Sequence, residues 1–239
     1  TLSASSAASD VYKRQPTDYW QSLWKDYQNQ DNRSRYQITD NGPAYESSEV
    51  SDYRYIDGLL TLKVIRDIEK LKMANKPFFL TAGFISNHLP FNAPKKYWDL
   101  YERDLIEQPE NFNYIPEGAP SISISNWPEM RAYSNIPKQG QVSDSIAIDL
   151  MHGYYATVSY VDALIGKILD ELKEQKLDDN TIVILVSDHG YNLQEHTQWA
   201  KFTSYNTSTQ VPLVIYNPFS KATGTTNALT SLVDILSLI

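Results

Sequence analysis

The run Thr181-Ile182-Val183-Ile184-Leu185-Val186-Ser187, which stops at Asp188-His189-Gly190, constrains the fold more than any other feature. It is almost entirely β-branched or aliphatic, with no polar alternation. A strand of that kind must be covered on both faces, the situation of a strand inside a parallel sheet. Lys76-Pro77 introduces a second such run, Phe78-Phe79-Leu80-Thr81-Ala82-Gly83-Phe84-Ile85. A shorter strand is expected over residues 211–216.

A stretch with helical periodicity precedes each long strand. Leu59, Leu60, Val64, Ile68 and Leu71 predict an amphipathic helix over residues 57–73. Ile146, Leu150, Tyr154, Val158, Val161, Ile165, Ile168 and Leu172 predict a longer one over residues 144–175. Helices alternating with doubly apolar strands imply an α/β sheet with helices on both faces. Ligands of such sheets bind at the carboxyl ends of the strands, which directs attention to Asn87-His88 and Asp188-His189. Residues 16–50, polar and without period, are expected to be irregular. A loop is expected around Pro90 and Pro94. Five prolines between Pro109 and Pro137 predict a long ordered surface loop of the kind that shapes pockets.

Residues 1–15 show no helical or strand period and are expected to be a non-native, adapter-derived segment. Residues 236–239 are expected to be a non-native end, which leaves residues 16–235 as the domain proper. The 21 Lys and Arg against 29 Asp and Glu give a net charge of −8, with no basic stripe to neutralise a phosphate backbone. Nucleic acid is therefore excluded as an expected partner, and any attraction for an anion must be local to a pocket. The absence of cysteine excludes disulfides and thiolate chemistry. No apolar run approaches the ~18 residues of a membrane span, and no signal-peptide pattern opens the sequence. The 17 tyrosines and 5 tryptophans suit a sugar-contacting surface or a core equally.

Several residues at the strand ends carry possible chemistry. Asp188 is either an oxygen ligand for a hard cation such as calcium or the N-cap of a following helix. His88 could hold an anionic oxygen or protonate a leaving group, or be a loop histidine bonded to a carbonyl. Lys201 could neutralise a sulfate or phosphate oxygen, or be a solvated lysine. Only four histidines occur, and His152 lies inside the long predicted helix at a structural position.

These residues also carry a family resemblance. Lys76-Pro77-Phe78-Phe79-Leu80 through His88-Leu89-Pro90-Phe91, the helix segment Tyr154-Tyr155-Ala156-Thr157-Val158-Ser159-Tyr160-Val161-Asp162, and Ser187-Asp188-His189-Gly190 through Glu195-His196, Trp199-Ala200-Lys201 and Val211-Pro212-Leu213 resemble successive blocks of the sulfatases, especially the iduronate 2-sulfatase type. The resemblance runs from about Asp57 to Asp234. It implies an incomplete alkaline-phosphatase-like α/β fold and hydrolysis of a sulfate ester on a sulfated carbohydrate. It implies Asp188 and His189 as the pair at a single calcium site, with Asp188 the direct ligand. It makes His88 a sulfate-site residue and Lys201 the lysine that contacts sulfate and leaving-group oxygens. The family's nucleophile is a formylglycine made within a Cys/Ser-x-Pro-x-Arg motif, and no such motif occurs here, so the chain is expected to be inactive as it stands. A periplasmic or secreted location is implied only by the family's habitat. Gln194 stands where many members have glycine. Two other readings remain: a phosphodiesterase or phosphonate hydrolase of the same superfamily, and a non-catalytic binder of sulfated glycans.

Overall fold

The computed structural model describes residues 4–6 and 26–237. The strand β1 (Ala4–Ser6) lies within the segment expected to be non-native and pairs in parallel with β3 (Phe79–Thr81). The rest of that segment lies outside the described residues.

Residues 16–50 are more regular than expected where they are described. Asn29 caps helix α1 (Gln30–Thr39), its Oδ1 accepting from the N–H groups of Asp31 at 2.9 Å and Asn32 at 3.3 Å. The helix buries no residue, so it leaves no hydrophobic period, and its cap was the only local signal. Next comes β2 (Tyr45–Ser48), which pairs in parallel with β4 (Phe91–Pro94) from Tyr45 opposite Phe91 to Ser48 opposite Pro94. The expected loop around Pro90 and Pro94 is therefore interrupted by a buried strand. Its prolines flank the ladder or close it, where a missing N–H costs least.

Both predicted long helices form, α2 as Ile56–Ala74 and α4 as Asp144–Glu174. Ser143 caps α4 through its Oγ. Between them, α3 (Lys95–Trp98) continues directly from β4. Helix α4 is the axis of the fold. Its Ala147, Leu150 and Met151 enter one core with Phe91, Trp127, Met130, Tyr133 and Trp199, and its Ala156, Tyr160 and Leu164 enter another with Tyr55, Tyr97 and Trp98. Residues 109–137 are thus more than a surface loop, because Trp127, Met130, Tyr133 and Ile136 are core residues. Arg131 closes that loop by donating to the carbonyls of Asn126, Pro137 and Gly140 at 2.7–2.9 Å, with its guanidinium 4.1 Å over the Trp127 ring.

The strongest strand run becomes β5 (Val183–Val186), antiparallel to β8 (Leu213–Tyr216), while β6 (Asn192–Leu193) pairs antiparallel with β7 (Trp199–Ala200). A short helix, α5 (Asn206–Thr209), lies before β8. Among the described residues the strands form four pairs, not one sheet flanked on both sides by helices. Among the described residues, coverage on both faces is also not observed. Val64 and Ile68 of α2 and Leu172 of α4 pack with Leu80 and Val183, so helices pack on β3 and on the start of β5. Leu185 and Val186 remain exposed. No helix among the described residues is long and apolar enough to cross a membrane.

Candidate functional site

His88 sits between β3 and β4 on a segment fixed from beneath. The carboxylate of Asp57, completely buried at the start of α2, accepts from the N–H groups of Ile85 at 2.8 Å and Ser86 at 2.9 Å. Burial raises the Asp57 pKa despite these bonds. A turn further on, His88 Nδ1 lies 2.7 Å from the carbonyl of Leu89, and Nε2 lies 2.7 Å from Glu129 Oε1.

Lys201 follows β7 and is anchored by what precedes it. Trp199 is fully enclosed in the core, and the buried Asn192 amide donates to the Ala200 carbonyl and to Ser208 Oγ, both at 2.7 Å. Lys201 Nζ lies 3.4 Å from Glu129 Oε2, and its side chain is only 16% exposed, unlike a solvated lysine. The structure therefore brings together the two residues singled out for anion binding, from strand ends 113 positions apart, through one carboxylate. Sequence reasoning missed Glu129. Its only signal was a place inside the proline-rich loop expected to shape a pocket. Burial favours the neutral acid, but the bond from His88 and the charges of His88 and Lys201 outweigh it and hold the Glu129 pKa below the carboxylate norm.

Asp188 and His189 stand just past β5, as the sequence suggested, but they engage their own neighbours. Asp188 Oδ1 accepts from the His189 N–H at 2.9 Å, and His189 Nδ1 lies 2.8 Å from the Gly190 carbonyl. No helix begins there, which removes the N-cap reading. Gly190 serves a close approach: its N–H donates to the Ser208 carbonyl at 2.8 Å, and a Cβ would fall 2.1 Å from the Thr207 carbonyl oxygen. The Asp188 carboxylate is 85% exposed and open to a cation. Among the described residues no group of three His, Asp or Glu side chains could close around a metal, however, and calcium takes six to eight oxygens. These residues alone do not make a calcium site.

The remaining histidines are structural contacts. His152 Nε2 lies 2.8 Å from the Trp98 carbonyl, inside α4 as expected. His196 lies between Tyr114 and Tyr205 and faces the Asn111 amide. Gln194, where glycine is common in the resembling family, has φ of +84°, a left-handed conformation that a side chain strains.

A family model described as sulfatase matches residues 3–239, and the chain belongs to that family. It is 32% identical over 167 residues to the iduronate 2-sulfatase of Homo sapiens, covering 66% of this chain and 30% of that protein. A sulfatase of Formosa agariphila is 34% identical over 151 residues, covering 62% and 28%. The chain thus spans about a third of the length of these relatives. Among solved structures, the phosphonate monoester hydrolase of Silicibacter pomeroyi superposes over 90% of this chain and 42% of its own, with a TM-score of 0.60 at 22% identity. The structure of BT4656 in complex with D-glucosamine-2-N,6-O-disulfate covers 69% of this chain and 43% of its own, with a TM-score of 0.55 at 22% identity. These likenesses show a shared α/β fold.

Proposed function

We propose that this chain is part of a sulfuric ester hydrolase of the iduronate 2-sulfatase type, in which His88 and Lys201 grip the sulfate group of a sulfated carbohydrate. The observation that carries the reading is the Glu129 carboxylate held by both side chains, because whatever places two donors on one carboxylate can place them on a sulfate. Cleavage breaks the S–O ester bond, with charge growing on the leaving oxygen and the sulfate oxygens. Lys201 offers a fixed positive charge to that oxygen, and His88 donates from Nε2. Asp57 holds the His88 segment and Asn192 the Lys201 segment, so both donors meet the substrate already oriented.

Asp188 is proposed as one direct ligand of a calcium ion, with His189 beside it. Calcium would supply positive charge to the sulfate oxygens, and its other ligands would come from outside the described residues. No role for His88 or Lys201 depends on it. The 239 residues hold no Cys/Ser-x-Pro-x-Arg motif, so the formylglycine nucleophile is expected from sequence beyond this chain.

The test has two parts. The purified chain should bind a sulfated disaccharide, read by calorimetry, and lose that binding in Lys201→Ala. It should release no sulfate from 4-nitrophenyl sulfate. Disaccharide binding indifferent to Lys201→Ala, or hydrolysis above that control, would overturn the reading.

A further inference from the structure

Glu129 does more in this cluster than complete an ion pair. Its two carboxylate oxygens take up the donor faces of the two side chains assigned to the anion, Oε1 on His88 and Oε2 on Lys201. Both nitrogens of the His88 ring face groups that only accept, the Leu89 carbonyl and this carboxylate. A sulfate ester therefore competes with Glu129 for side chains that this carboxylate already engages.

The carboxylate is delivered by a rigid platform. Trp127 and Met130 on either side of it are buried in the core, Arg131 ties residues 126, 137 and 140 together, and Lys138 Nζ donates to the Arg131 carbonyl at 2.6 Å. Glu129 itself keeps 22% of its side chain exposed, so solvent and solutes reach the pair it bridges.

We propose that Glu129 is an internal anion that occupies the binding pair and sets its affinity for sulfate. A sulfate group enters only as this carboxylate gives up its bonds to His88 and Lys201. The loop that carries Glu129 is thereby part of the specificity of the site, because it weakens the hold on small free anions and leaves more of the selection to contacts with the rest of the substrate. The proposal rests on the reading of His88 and Lys201 as an anion-binding pair.

Titration calorimetry of the purified chain with inorganic sulfate tests it. Glu129→Gln keeps the size and removes the charge, and should bind sulfate about tenfold more tightly than the parent chain, a gap of roughly 1.4 kcal/mol. Glu129→Asp, which draws the carboxylate back, should fall between the two. Circular dichroism and matched melting curves establish that each variant is folded, and either variant alone suffices to read the competition. Adding Lys201→Ala to Glu129→Gln should abolish the gained affinity. Equal or weaker sulfate binding in the folded Glu129 variants, with Lys201 dependence retained, would overturn the proposal and leave the anion-binding pair standing. Sulfate binding that ignores Lys201 in every variant would overturn both.

Discussion

Apolar side chains meet opposite fates in two regions of this molecule. Where β2, β4, the first half of α4 and residues 127–142 converge, Phe91, Met130, Leu150, Met151 and Trp199 are enclosed almost completely. On the ribbon of β5 and β8, residues of the same character stand largely in solvent, with Val214 57% and Tyr216 52% exposed. The ribbon carries the most strand-like sequence in the chain, and the core contains a four-residue strand, preceded by one proline and ending on another, that looked like a loop. Strand character records a backbone preference and a demand for cover. Whether the demand is met depends on what packs against it. In the first region α4 and the proline-rich loop meet it; on the ribbon, among the described residues, helices reach only the Val183 end.

The contrast predicts a steep gradient in the response to substitution. Trp199→Ala should have the largest effect, about 3–5 kcal/mol off the unfolding free energy in urea titration, because it empties the centre of the core beside the Lys201 segment. A loss below about 1 kcal/mol would show that the core is looser than its burial implies. Asp52→Asn should cost less, about 1 kcal/mol at neutral pH, since it breaks the contacts of Asp52 with Lys96 at 2.6 Å and Lys167 at 3.5 Å that tie residues 52 and 96 to α4. Burial raises the Asp52 pKa, but the hydrogen bonds and charges of its partners outweigh it and leave it below 3.8. The carboxylate thus contributes in full above pH 3.8 and loses its contribution as the pH falls through the lowered value. Melting curves of the two proteins should therefore converge below pH 3.8, and a constant gap would mean that the charge is not the cause. Val214→Lys should be the mildest, within about 0.5 kcal/mol of the parent, while reducing self-association in light scattering. A large destabilisation there would erase the distinction between the two regions.

Parts of this architecture were legible because they follow from local rules. Helices α2 and α4 sit within one residue of the stretches their periodicity marked, and β5 and β8 lie inside their predicted runs. Asp188 stands just past its strand for the same reason, whereas the run expected to reach Ile85 forms a strand only over Phe79–Thr81, which ends seven residues before His88. Helix α1 was missed because a helix with no buried face leaves no period. The strand β4 was missed because four residues that follow one proline and end on another offer too little pattern, and only its partner β2 makes it a strand. Gly190 admits the backbone of residues 207–208, a neighbour that no local signal names.

The sequence by itself determined the periodic helices, the apolar strands and the residue types capable of binding an anion, because these depend on neighbours within a few positions along the chain. Only the tertiary structure decided that His88 and Lys201 meet, that Glu129 lies between them, and that, among the described residues, most of the ribbon is left in solvent. Those outcomes depend on distances between segments far apart in sequence, set by how α4 and the loop over residues 109–137 pack, and no local pattern encodes them.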